Sequence, residues 1–240
     1  PDNSIKIFYP NPDMGQGTGT SVPMIFAEEM DADFALVSVE PMPLMLARNG
    51  EGGFRWRVVP QGAGGSTSIT GAWARVRTIA ATTRQLLLTA AAQQWGVDAT
   101  GLTAKNSFVT NPANGEKLSY GELAEAAGNV TLPDSFEPKL KARPDYQILG
   151  KSQAQKDIST IVTGAPLFGI DATYPDVKVA VVARSPYLDG QVISVDDTAA
   201  RGVEGVHDVI IMPRPALDKA YTYLAAGVAV VADSFWAAKK

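Results

Sequence analysis

The 240-residue sequence contains no cysteine and a single histidine, His207. Without thiols the chain forms no disulfide, offers no thiolate nucleophile, and holds neither an iron–sulfur cluster nor a cysteine-ligated zinc. One histidine likewise excludes a histidine-built metal site. Long apolar runs are also missing. The stretch 223–238, YLAAGVAVVADSFWAA, comes nearest to the roughly 20 apolar residues of a membrane span, but Asp233 interrupts it and Gly227 weakens it. No basic run exceeds Lys239-Lys240 and the net charge is −4, which argues against nucleic acid as a partner. Hydrophobic residues make up 45% and charged residues 19%, enough apolar side chain for one large domain or two smaller ones. The sequence opens at Pro1 rather than Met, and the expectation is a longer polypeptide upstream.

SIKIFYP (4–10) alternates as a short strand does, and FALVSVEPMP (34–43) reads as a second strand closed by two prolines. Between them GQGTGTSVPMIFAEEM enters a helix, with Thr20 or Ser21 as cap, Pro23 in the first turn, and Glu28 and Glu29 in water. A second glycine-rich run, 50–73, feeds the strongest helix, 71–95. Its buried face is expected to include Trp73, Val76, Ile79, Ala80, Leu87, Ala90 and Ala91, with Gly96 ending it. A hairpin turning at Asn114-Gly115 and a short helix from Gly121 follow. Residues 131–147 hold three prolines without periodicity and read as a connector, which puts a domain boundary at 145/146. Beyond it, strands are expected around 165–171, 177–184, 191–195, 206–212 and 227–232. A short helix at 197–201 joins them, as does a final helix capped by Asp233, cut off in mid-pattern as if the polypeptide continued. The expected class is α+β.

GQGTGTSVP and GAGGSTSITG are both glycine loops running into helices. Such loops bring backbone N–H groups close to an anion or a flat ring, and they also serve as plain tight turns. Neither matches the phosphate loop that ends in Lys-Ser/Thr or the dinucleotide fingerprint. No acidic ribose-binding residue follows the first loop at the expected distance, which disfavours a nucleotide-binding protein. On the residues alone, a phosphate-bearing cofactor and a pair of turns both stand.

The stretch MGQGTGTSVPMIFAEEMDADFALVSVE (14–40) resembles the pterin-contacting segment of molybdenum hydroxylase (xanthine oxidase superfamily) large subunits. Within them it is most similar to the isoquinoline 1-oxidoreductase beta-subunit group, which includes membrane-associated aldehyde dehydrogenases. Residues 61–98 resemble the second cofactor segment of that family, and 149–210 its small α/β hammerhead domain. The resemblance implies a portion of a molybdopterin-binding domain over 1–145 and a hammerhead-like domain over 146–240 that continues past the last residue. It implies that Gly15, Gln16, Gly17 and Thr18 touch the cofactor on one side, Gln16 through its amide, and that Gly65, Ser66, Thr67 and Ser68 form the other wall. No side chain of this sequence is assigned a metal or a catalytic role. The family's general-base glutamate stands in a glycine-flanked motif that residues 1–240 lack, and Glu28, Glu29, Glu40 and Glu204 read as exposed charges.

The implied cofactor is molybdopterin, in its cytosine dinucleotide form, carrying molybdenum. The implied partners are the rest of the large subunit, a [2Fe–2S] small subunit and a cytochrome c subunit with haem c. The implied reaction oxidises an aldehyde to a carboxylic acid with oxygen from water; hydroxylation of an N-heteroaromatic beside its nitrogen is the alternative. The implied location is the periplasm, peripheral to the inner membrane, with the cytoplasm as alternative. A non-catalytic assembly or binding module, whose glycine loops are only turns, is the rival from another class. Among the remaining motifs, His207 reads as a surface or edge residue, and Arg55 and Arg57 either reach a phosphate at the second loop or line a solvated strand. Ser185-Pro186-Tyr187 reads as a turn or as part of a substrate funnel.

Overall fold

The computed structural model describes residues 2–43, 45–48, 54–57, 61–165, 169–172, 174–215 and 224–240, with the backbone alone for 45–48, 54–57 and 170. Two compact units result, Pro1–Phe168 and Gly169–Lys240. The expected boundary at 145/146 falls inside the first of them.

The first unit opens with β1 (Ile5–Tyr9), α1 (Thr18–Met30) and β2 (Val37–Pro41). β1 and β2 pair in parallel, Ile5 opposite Val37 and Tyr9 opposite Pro41, so α1 is the crossover of a β-α-β unit. β2 begins three residues later than the pattern predicts. The Asp33 carboxylate accepts from Ala35 N–H at 2.9 Å and winds 34–36 into one 3₁₀ turn. The next element is an antiparallel hairpin of β3 (Met45–Arg48) and β4 (Phe54–Arg57), of which the sequence offered only a strand at Arg55 and Arg57 as one of two readings. The side chains of Arg55 and Arg57 lie outside the described residues.

α2 (Trp73–Trp95) ends at Gly96, whose φ of 66° is left-handed and whose N–H reaches Ala92 O. Its buried positions include Val76, Ala80, Leu87, Ala90 and Ala91, and they pack on Val22, Ile25 and Ala27 of α1. Trp73 and Ile79 depart from the expected face: both are exposed. Trp73 is the first residue of the helix, and its ring lies against the Arg77 guanidinium, 5.2 Å away, instead of in the core. The meander β5 (Thr103–Lys105), β6 (Phe108–Thr110), β7 (Lys117–Ser119) contains the expected Asn114-Gly115 turn. α3 (Tyr120–Gly128) follows, its Ser119 and Glu122 forming a reciprocal capping box. Val109 and Leu123 complete the core, and Tyr120 O–H donates to Met30 O at 2.6 Å.

The acidic pair of α1 overturns an expectation. Glu28 and Glu29 are 0% exposed. Glu28 accepts from the N–H groups of Gln147, Ile148 and Leu149 at 2.7–3.0 Å and from Lys141 Nζ at 3.1 Å. Glu29 accepts from Arg77 Nε at 2.7 Å and from Lys141 N–H at 3.0 Å. Buried carboxylates persist only where every lone pair is served, and here the supposed connector serves them. Residues 139–149 are therefore strapped to α1 and α2. α4 (Ile158–Thr163) closes the unit.

The second unit is a three-stranded antiparallel sheet with two short helices. β8 (Val179–Arg184), α5 (Thr198–Arg201), β9 (Val206–Met212), β10 (Gly227–Ala232) and α6 (Phe235–Lys239) occur in that order, and β10 lies between the other two strands. Gly227 is required at the start of the central strand, because a Cβ there would stand 2.5 Å from Ala183 O. Residues 191–195 form no strand, and Ile193 is 98% exposed. Gly169–Asp171 is a 3₁₀ turn, not strand, and 166–168 lie outside the described residues. α6 is capped by Ser234, whose Oγ accepts from Ala237 N–H. Asp233 turns instead to Lys178 and to His207, an exposed residue on the edge strand β9.

Candidate functional site

The carboxyl end of a parallel strand is where loops can surround a ligand. Here both glycine loops gather at the end of β1. The first continues from it directly. The second is tied to it by three hydrogen bonds: Tyr9 O–H donates to Ser68 O, Asn11 Nδ2 to Gly62 O at 2.8 Å, and Gly62 N–H to Pro10 O at 3.2 Å. A cleft of about 250 Å³ opens on the second loop, with Tyr9, Asn11, Thr67, Ser68 and Arg75 on its walls. Another, of about 510 Å³, opens on the first loop, with Tyr9, Asn11, Asp13, Thr18, Gly19 and Lys156. Tyr9 and Asn11 line both. Burial raises the Tyr9 phenol above its ordinary pKa, against the opposing charge of Arg75, so it stays a neutral donor.

In the first loop, Gly15 (φ 99°) and Gly17 (φ 82°) are left-handed, and a Cβ on either would meet nothing within 4 Å. The conformation demands glycine, and the backbone face is bare. Its N–H groups point inward. Asp13 Oδ1 accepts from Gly15 N–H at 2.8 Å and from Gly17 N–H at 3.4 Å, and Oδ2 accepts from Gly19 N–H at 2.7 Å. Burial would raise the Asp13 pKa, but the N–H bonds from Gly19, Gly15 and Gly17 outweigh it and hold the carboxyl below its ordinary value. Gln16 also folds back: its Oε1 accepts from Met14 N–H at 2.5 Å and its Nε2 donates to Pro12 O at 2.9 Å. α1 starts at Thr18, earlier than expected, with Gly17 as N-cap and no side-chain cap from Thr20 or Ser21, so Pro23 falls in its second turn.

The second loop is arranged the other way. Gly65 and Ser66 are left-handed, φ 60° and 56°. Thr67 Oγ1 donates to Gly64 O at 3.1 Å and Thr67 N–H to Gly64 O at 3.4 Å. The N–H groups of Gly65, Ser66 and Ser68 and the hydroxyls of Ser66 and Ser68 find no partner among the described residues. Gly65, Ser66 and Thr67 are exposed and Ser68 is half-buried.

Of the eight sequence-nominated residues, Thr18 lines the larger cleft and Thr67 and Ser68 the smaller. Gly15, Gln16, Gly17, Gly65 and Ser66 belong to the two loops but line neither cleft. Asp13, Tyr9 and Lys156 were missed. Asp13 had a readable signal, an Asp followed by glycines at the second, fourth and sixth positions. Lys156 had none. Its N–H donates to Thr20 Oγ1 at 2.9 Å, and its ammonium donates to Phe34 O at 2.7 Å and lies 4.2 Å from the centre of the Phe34 ring. Burial lowers its pKa. Among the described residues no cluster of acidic or histidine side chains could hold a metal. The donor set fits an anionic, ring-bearing cofactor in a divided way. The second loop has unused N–H and O–H donors, while the first offers a bare glycine surface whose donors are spent.

Known proteins share this stretch of sequence. The beta subunit of isoquinoline 1-oxidoreductase from Brevundimonas diminuta is 28% identical, over 99% of this chain and 32% of that protein. The membrane-bound aldehyde dehydrogenase (pyrroloquinoline-quinone) of Gluconacetobacter polyoxogenes is 26% identical, over 99% and 29%. A nicotinate dehydrogenase polypeptide of Pseudomonas putida, one of that enzyme's subunits, is 28% identical, over 88% and 17%. The chain thus spans about a third or less of the length of these relatives. Residues 1–179, which contain both glycine loops and the strapped segment, match the molybdopterin cofactor-binding domain, and the chain belongs to that family.

Proposed function

We propose that this chain supplies the first cofactor-holding part of a molybdenum hydroxylase that oxidises an electron-poor carbon with oxygen taken from water. The observation that carries the reading is the convergence of two glycine loops on the end of β1, one bare and one with unused donors, inside the matched residues 1–179. When bound, molybdopterin supplies the two-electron redox centre. The N–H groups of Gly65, Ser66 and Ser68 and the hydroxyls of Ser66 and Ser68 would hold its anionic portion, and Gly15 and Gly17 would admit its flat portion against bare backbone. Gln16 joins them only if its two internal hydrogen bonds open.

For an aldehyde, RCHO and H₂O give RCOOH, two electrons and two protons. Hydroxylation beside a ring nitrogen has the same balance, a C–H becoming C–OH. The aldehyde dehydrogenase relative supports the first substrate class; the isoquinoline and nicotinate relatives support the second. Neither Glu28 nor Glu29 is the general base, because each is buried and saturated with donors. That base belongs to another part of the enzyme. With no cysteine here, electrons leave through [2Fe–2S] clusters on a small subunit and then through a haem c subunit. We further propose the cytosine dinucleotide form of the cofactor, a hammerhead-type role for the second unit, and a periplasmic, membrane-peripheral complex.

The test is molybdenum and iron content of the complex purified from its native host, followed by turnover of aldehydes and N-heteroaromatics. About one molybdenum per copy of this chain, with iron, is expected. A complete complex without molybdenum would leave the loops as turns in an assembly module.

A further inference from the structure

We propose that Asp13 is the positioning residue of the first cofactor loop, an internal anion that holds residues 15–19 in their binding shape before any cofactor arrives. The inference rests on the cofactor reading above and assigns a role to a residue which that reading does not use. Three alternate glycines present their N–H groups to one carboxylate, at 2.8, 3.4 and 2.7 Å. Backbone that winds this way, with left-handed Gly15 and Gly17, loses much conformational freedom, and a flexible glycine loop does not pause there unaided. The tethered carboxylate also faces the amino end of the 13-residue helix α1, where the N–H groups and helix dipole favour negative charge.

Two consequences follow. An external phosphate cannot occupy the N–H groups of the first loop, because Asp13 already does and would repel it. The cofactor must therefore meet this loop through its outward glycine surface, where a Cβ on Gly15 or Gly17 would touch nothing. The anionic part is left to the second loop. Moreover, affinity depends on the fraction of molecules whose loop is already formed, so loosening Asp13 weakens retention of the cofactor without removing any group that touches it.

Asp13→Asn is nearly isosteric, but it turns an acceptor into an NH₂ that opposes Gly19 N–H or one of its neighbours. In the complex carrying this chain, the amide protons of Gly15, Gly17 and Gly19 should exchange about tenfold faster in the variant, and molybdenum should be lost about tenfold faster on dialysis. The unfolding midpoint should change little by comparison. A second variant guards against misfolding. Gly19→Ala suits a helix, but its Cβ would sit 3.2 Å from Asp13 Oδ2 and push the carboxylate aside, so it should move both readouts in the same direction by a smaller factor. Unchanged exchange at residues 15–19 in either assembled variant overturns the proposal, and so does wild-type retention of molybdenum with accelerated exchange. Should the wild-type complex hold no molybdenum, the cofactor reading fails separately. The exchange measurement then still decides whether Asp13 orders the loop.

Discussion

The two glycine loops look alike in composition and differ in who owns their N–H groups. In the first, Asp13 takes three of them and Gln16 takes a fourth, that of Met14. In the second, the N–H groups of Gly65, Ser66 and Ser68 have no partner among the described residues, and Tyr9 and Asn11 fix the loop by its carbonyls. Glycine content makes a loop able to wrap a ligand. Whether its donors reach that ligand depends on the nearest internal acceptor. A carboxylate two residues upstream makes one loop a rigid surface; its lack leaves the other a set of waiting donors.

The same device recurs at the far end of α1, where Glu28 is surrounded by the N–H groups of 147–149 in full burial. That pair of anions gives the sharpest test. Glu28→Ala should cost about 3–5 kcal/mol in urea unfolding of the first unit, because it strips a buried network of its counter-charge. Asp13→Ala should cost about 2 kcal/mol, since water can reach part of the emptied loop. Both carboxyls have pKa values below their ordinary 4.5 and 3.8. The stability they add is present above those ordinary values and is withdrawn as pH falls through the folded pKa. The gap between wild type and each variant should therefore begin to shrink as pH falls through about 4.5 for Glu28 and 3.8 for Asp13 and go on shrinking below, and a pH-independent gap would contradict the assignment.

Smaller effects separate the loops further. Gly17→Ala forces a side chain into φ 82° and should cost about 1–2 kcal/mol without any clash, readable as a lower thermal midpoint. Tyr9→Phe removes the bond to Ser68 O and should cost about 1 kcal/mol, with faster exchange confined to residues 64–69. Thr67→Ala should change stability by less than about 0.5 kcal/mol, since its hydroxyl makes one exposed bond inside the loop. A large loss at Thr67 would mean that the second loop is internally braced after all.

Local signals carried much of the first unit. The β-α-β opening, the long helix with Gly96, and the Asn114-Gly115 turn are written in contiguous residues, and all are present. What stayed hidden depends on distance. Glu28 and Glu29 look like solvated helix charges until Lys141 and the N–H groups of 147–149 come to meet them, more than a hundred residues later. The same strap ties residues just beyond 145 to α1, within a compact unit that runs to Phe168. At the site, the loops themselves were visible. The inward turn of Gln16 and the role of Tyr9 were not, because both follow from hydrogen bonds that composition cannot rank.

The most direct test of the contrast is backbone hydrogen exchange on the complex with cofactor bound and after its removal. Gly15, Gly17 and Gly19 should exchange slowly in both states, while Gly65, Ser66 and Ser68 should exchange fast without cofactor and become protected with it. Protection that appears at residues 15–19 only when cofactor binds, with no change at 65–68, would contradict the division of labour between the loops.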